Sequence, residues 1–150
     1  MPASLSPRLQ AIIDSLPLKP GQRVLEIGCG PGAMARAIAN RIAWGHVLAI
    51  DRSANAIALA RRASQDELRS GVLMLRHVAI EDFAMKTDDV RFDIAVAVRV
   101  GVLDGRHPEQ EERARNAIAA ALKPRGRFFI DGGKPLREIV LARDSRQLRT

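Results

Sequence analysis

The residues of this chain best suited to chemistry crowd into one short stretch, Glu26 to Gly32, joined by an acid further on, Asp51. Gly28, Gly30 and Gly32 place three glycines in five residues, so backbone there can approach a ligand with no Cβ in the way. A helix following the loop would present free N–H groups, which suit a carboxylate or a phosphate. Asp51 lies 21 residues after Gly30, where an acid closing a second strand can accept hydrogen bonds from two ribose hydroxyls. Together these features read as a nucleoside site. Gly28-x-Gly30-x-x-Ala33 also fits the dinucleotide fingerprint, which tolerates alanine at its third glycine. Glu26 separates the alternatives. A carboxylate two positions before Gly28 repels a pyrophosphate held just beyond it, but suits a ligand's amino group. Cys29, inside the loop, reads as a small packed residue rather than a nucleophile.

Those residues need a scaffold, and the surrounding pattern supplies one. Arg23 to Ile27 is an apolar, β-rich run that ends in the glycine loop. The alanine-rich segment after Gly32 reads as helix, and His46 to Ile50 as a second strand ending at Asp51. Ser53 caps a helix predicted to run to Ser70-Gly71. Val72 to Val78 and Phe92 to Val98 are the third and fourth strands, the latter uninterrupted as in a sheet covered on both faces. Pro108 opens another helix with glutamates in its first turn. Lys123-Pro124-Arg125-Gly126 then turns into a fifth strand, Arg127 to Asp131, and the remainder from Pro135 reads as a helix or a strand. A first short helix follows Ser6-Pro7. Alternating strands and helices imply βαβ units and a parallel sheet, with ligands beyond the carboxyl ends of the strands. The glycine loop and Asp51 both fall there.

Size and composition bound the rest. A chain of 150 residues, nearly half apolar, is the profile of one packed domain. No apolar run approaches the roughly 20 residues that span a bilayer. The N-terminus lacks the pattern of a signal peptide, and one cysteine suits a reducing compartment, so a cytoplasmic location is expected. The net charge of +7 comes from dispersed arginines with few aromatics between them, which argues against specific nucleic-acid binding. His77 and His107 lack partners at metal-ligand spacing, so no metal is expected.

The segment VLEIGCGPG resembles the first motif of class I S-adenosylmethionine (SAM) dependent methyltransferases. AIDRS resembles the second, FDIAVAV with RVGVLDG the fourth strand and its loop, and LKPRGRFFI the approach to the fifth strand. The resemblance covers residues 20 to 131. It implies an α/β, Rossmann-like parallel-sheet three-layer sandwich. Only 19 residues follow Asp131, which predicts a sheet reduced to about five strands, its edge suited to cover by a second copy as a homodimer. One SAM-binding domain is expected, with an N-terminal helix in 1–19, a core over 20–131, and a helix or strand in 132–150.

Carried over, the resemblance assigns Gly28, Cys29, Gly30 and Gly32 to the methionine part of SAM, Glu26 to its amino group and sulfonium charge, and Asp51 to the ribose. Arg52 would lie near the adenine edge and Ile80 on the ring, with Glu81 or Asp82 as the polar contact; the family's usual acid there falls on Ala79. Val98 and Arg99 would flank the methyl group. The acceptor loop, Arg99 to His107, offers Asp104 and His107 as bases and Arg99 or Arg106 as anchors for an acidic substrate. The expected activity is methyl transfer to a small, acidic molecule. Its alternative is a SAM-binding or RNA-binding module without turnover of its own, while Glu26 disfavours a nicotinamide oxidoreductase.

Overall fold

The computed structural model describes residues 5–142. Ser6 starts the first element: its Oγ accepts from the backbone N–H of Leu9, and Pro7 occupies the first turn of helix α1, Pro7–Ser15. Strand β1 (Arg23–Ile27) leads through the glycine loop into α2 (Ala33–Arg41), and β2 (His46–Asp51) follows. Helix α3 (Ala54–Ala63) is capped by Ser53, whose Oγ accepts from Ala56 N–H. Then come α4 (Gln65–Ser70), β3 (Leu73–His77), β4 (Phe92–Ala97), α5 (Pro108–Ala121), β5 (Leu122–Asp131) and β6 (Leu136–Ile139).

The sheet order is β3-β2-β1-β4-β5-β6, parallel throughout except for β6, which runs antiparallel to β5. The order reverses between β1 and β4, so the carboxyl ends of these two strands flank the crevice where ligands bind in such sheets. Alternate residues serve opposite faces. Val24, Val47, Ala49, Ile94, Val96 and Phe129 pack with Ile12 of α1 and Ile38 of α2 on one side. Leu25, Leu48, Ile50, Ala95, Phe128 and Ile130 pack with Ile118 of α5 on the other. The period of two fixes the site as well. Glu26 and Asp51 share parity with Val24 and Ala49, so both carboxylates project on the α1–α2 face. Phe92 and Ile118 are completely buried, and truncating such a side chain to alanine costs about 2–5 kcal/mol.

Three expectations change. The sheet has six strands, not five, because Leu136–Ile139 doubles back on β5 with Ile130 opposite Arg137. The helix expected to run from Ser53 to Ser70 is broken at Ser64. That serine is fully buried, and its Oγ accepts from Arg36 Nη1 of α2 at 2.9 Å, which ties the break to the neighbouring helix. The fifth strand also begins earlier, at Leu122, with a register shift against β4 between Phe92 and Ile94. No helix among the described residues is long and apolar enough to cross a membrane.

Candidate cofactor cleft

A cleft of about 670 Å³ opens at the crevice between β1 and β4. Its floor is the glycine loop. The Gly28 and Cys29 amides both donate to the Ile50 carbonyl, at 2.8 and 3.0 Å, which ties the loop to the end of β2. Asp51 completes the closure: one carboxylate oxygen accepts from Gly30 N–H at 2.9 Å, the other from Ser53 N–H at 2.8 Å. Each oxygen keeps a further lone pair for a ligand hydroxyl. Asp51 is therefore a clamp and a candidate ligand at once.

The three glycines divide their labour. Gly30 has φ +53°, and a Cβ added there would meet nothing within 4 Å, so its open side is the cleft. Gly32 has φ +89°, and an added Cβ would come within 3.2 Å of Ala60 Cβ and 3.3 Å of Ser64 Oγ. It lets α2 pack against the α3–α4 break and does not line the cleft, whereas Gly28, Cys29 and Gly30 do. Gly32, expected at the ligand, is thus placed against Ala60 and Ser64 rather than in the wall of the cleft.

Glu26 is the electrostatic anomaly of the site. It is 2% exposed, and its Oε2 has no hydrogen-bond partner among the described residues. Burial, reinforced by the neighbouring charge of Asp51 and opposed by Arg36, pushes its carboxyl up to about 8. At neutral pH Glu26 thus holds a proton. Burial, with Glu26 and Asp51 adding to it, also pushes the Cys29 thiol up to about 12, so this cysteine is no nucleophile.

Beyond β3, Ala79, Ile80 and Glu81 face the cleft from a single 3-10 turn, Ile80–Asp82. Of the two acids left open by sequence, Glu81 enters: its side chain is 9% exposed and lies 3.9 Å from Arg52, whose own side chain is 73% exposed. Asp82 turns away to pair with Arg113 of α5 at 2.6 Å. Val98 and Arg99 line the opposite end, as does Val102.

The acceptor candidates land elsewhere. Asp104 accepts from Arg106 Nε at 2.7 Å, a pairing that holds its carboxyl below the usual range. Both residues face a second cleft of about 420 Å³, at the ends of β4 and β5, together with Arg99, Asp131 and Arg137. His107 is exposed at the start of α5 and lines neither cleft. Sequence reasoning missed Ser6, Arg8 and Leu9 of α1, which wall the first cleft. The Ser6-Pro7 cap signals a helix there but not its destination, which Ile12 and Ile13 decide by packing in the α2-face core.

The donor set fits a nucleoside carrying a cationic tail. An unpartnered buried carboxyl, an uncovered glycine and a carboxylate with spare lone pairs stand in one crevice.

Comparison with known proteins agrees. The profile of a family described as a methyltransferase domain matches residues 24–126. The ubiquinone biosynthesis O-methyltransferase of Xylella fastidiosa is 35% identical over 124 residues, 82% of this chain and 46% of that protein. The ribosomal RNA large subunit methyltransferase E of Sorangium cellulosum is 33% identical over 130 residues, 85% of this chain and 60% of that protein. The crystal structure of an S-adenosylmethionine dependent methyltransferase from Mesorhizobium loti matches with a TM-score of 0.63 at 26% identity, covering 83% of this chain and 51% of that one. The chain spans about half the length of the relatives it matches.

Proposed function

The chain belongs to the methyltransferase-domain family of class I SAM-dependent enzymes, and from that premise we propose that it transfers the methyl group of SAM to a small molecule. The observation that carries the reading is Glu26, a buried carboxyl without a partner beside the glycine loop. Bound there, SAM supplies a methyl carbon already activated by the sulfonium, so the chain's task is alignment. Glu26 gives up its proton to meet the amino end, and Asp51 accepts from the ribose while keeping the loop closed. Ile80 offers an apolar face to the base, and Glu81 a polar edge. Ser6 at the cap of α1, with Arg8 and Leu9 of that helix, would form one wall around the bound cofactor. Val98 and Arg99 stand where the methyl group would be presented.

An RNA acceptor is the second reading. It draws on the ribosomal RNA methyltransferase relative and on the net charge of +7. Calorimetry with SAM, its demethylated product and NAD tests the cofactor; NAD binding with no response to SAM would overturn it. Labelled SAM with a panel of small metabolites, run beside gel-shift titrations with RNA at physiological salt, then separates the two acceptors. Sub-micromolar RNA binding with a steep salt dependence would move the assignment to RNA.

A further inference from the structure

The second cleft is unlike the first. Its floor is apolar, Ala97 at the end of β4 and Ile130 near the end of β5, both buried. Its walls carry three arginines and two aspartates. The charges do not cancel evenly. Arg106 is held by Asp104 through its Nε and Nη2. Asp131 is occupied by Arg8 of α1 at 2.8 Å and by the backbone N–H of Arg99 at 3.2 Å. The guanidinium groups of Arg99 and Arg137 are left with no carboxylate among the described residues, although both line the cleft. The sheet fixes the place of Arg137: it lies opposite Ile130 in the antiparallel pair, on the strand beside the apolar floor.

Arg99 carries a second signal. Its φ is +58°, a left-handed conformation that a residue with a long side chain adopts at a cost. The hydrogen bond from its N–H to Asp131 holds that turn. Such strain persists where surrounding structure over-determines it, and here it leaves Arg99 as a lining residue of both clefts. Val100 and Gly101 also line both, so the two spaces meet across this one short segment.

The geometry points to a second binding site, in which Arg99 and Arg137 grip the carboxylate or phosphate of a small acidic molecule lying over Ala97 and Ile130. The site deepens the methyl-transfer reading, and rests on it only in making that molecule the methyl acceptor. Arginine suits the task because its planar fork offers two parallel N–H donors to one anionic group. A volume of about 420 Å³ is ample for a ring or short chain bearing such a group. Asp104 tunes the site by neutralising Arg106, so two unpaired arginines, not three, define the charge that is recognised.

The probes are benzoate and phenyl phosphate, with benzamide as the neutral counterpart of benzoate, titrated into the 15N-labelled full chain. The expected result is saturable shifts at the amides of Arg99, Gly101, Asp131 and Arg137 with an anion, and at least about tenfold weaker binding of benzamide. Arg137→Gln, which lies outside the SAM cleft, should weaken the anion at least about tenfold while SAM affinity by calorimetry stays at the wild-type value. Arg137→Lys should recover part of the loss, and Asp104→Asn should tighten the anion by releasing Arg106. Equal binding of benzoate and benzamide, shifts elsewhere on the surface, or full anion affinity in Arg137→Gln would overturn the site. Anion binding in a protein that ignores SAM would sustain the site and sink the methyl-transfer reading.

Discussion

At the β1–β2 half of the sheet's carboxyl edge, acidic side chains are held by backbone amides or by nothing at all: Asp51 by Gly30 and Ser53, Glu26 unpartnered at its Oε2. At the β4–β5 half, acids are held by arginine side chains, Asp131 by Arg8 of α1 and Asp104 by Arg106 two residues on in the same loop. The first half is fixed by backbone amides of the glycine loop and of Ser53, with Glu26 buried beside them. The second is exposed and assembled from α1, a loop and β6. The contrast separates a site that recognises one shape from a site whose specificity rests on a few exchangeable charges.

Gly30→Val is the severest test of the first half. A branched residue at φ +53° is strained, and its side chain would enter the cleft. Calorimetry should find SAM binding abolished while circular dichroism reports a folded protein. Normal binding would mean that the loop is no ligand site and the contrast between the halves is false.

Asp51→Ala should cost about 1.5–3 kcal/mol of SAM affinity, the range for hydrogen bonds to a charged group. It should also lower the melting temperature, because Gly30 and Ser53 lose their acceptor. A loss of stability with unchanged affinity would leave Asp51 as a clamp alone.

Glu26 sets the pH behaviour. Its carboxyl stands near 8 in the folded protein against an ordinary 4.5. Between these values the native state holds a proton that the unfolded chain has released, so this group makes stability fall as pH rises from about 4.5 to about 8. Glu26→Gln should flatten that decline in thermal melts across the range. In the wild type, SAM binding should release a proton below about pH 8, with affinity rising by at most about tenfold per pH unit. Calorimetry in buffers of different ionisation enthalpy measures the proton count, and a count of zero at pH 7 would show that Glu26 does not ionise on binding.

Substitutions in the second half should be milder for the fold. Asp131→Asn breaks a part-exposed ion pair and should cost no more than about 1 kcal/mol of stability by denaturant titration. Arg106→Gln should leave both melting temperature and SAM affinity essentially unchanged, since its side chain is exposed and does not line the first cleft. A large loss from either would show the two halves to be more alike than their partners suggest.

The first half was also the half legible in sequence. Glu26, the glycines and Asp51 sit within or beside apolar parallel strands whose pattern is unambiguous, and their spacing along the chain reflects their spacing in space. What escaped depended on distant partners. The short strand Leu136–Ile139 shares its pattern with a helix, and only pairing with β5 decides it. The break at Ser64 comes from Arg36 reaching across from α2. The choice of Glu81 over Asp82 follows from Arg113 on α5, and the role of Gly32 from the proximity of Ala60. The walling of the first cleft by α1, and the place of Arg137 on β6 beside the β4–β5 edge, had no linear signature at all.

The double grip of Asp51 on Gly30 and Ser53 bears finally on how quickly and uniformly the cleft can respond. The rim is closed by the chain's own hydrogen bonds, so its backbone entropy is lost during folding and is not charged again at each encounter. A ligand and its spent form therefore meet the same rigid rim. On the proposed reading the two share the amino end as well, so Asp51 and Glu26 would hold both alike, and the difference between them would lie at the sulfonium, on the side of Val98 and Arg99.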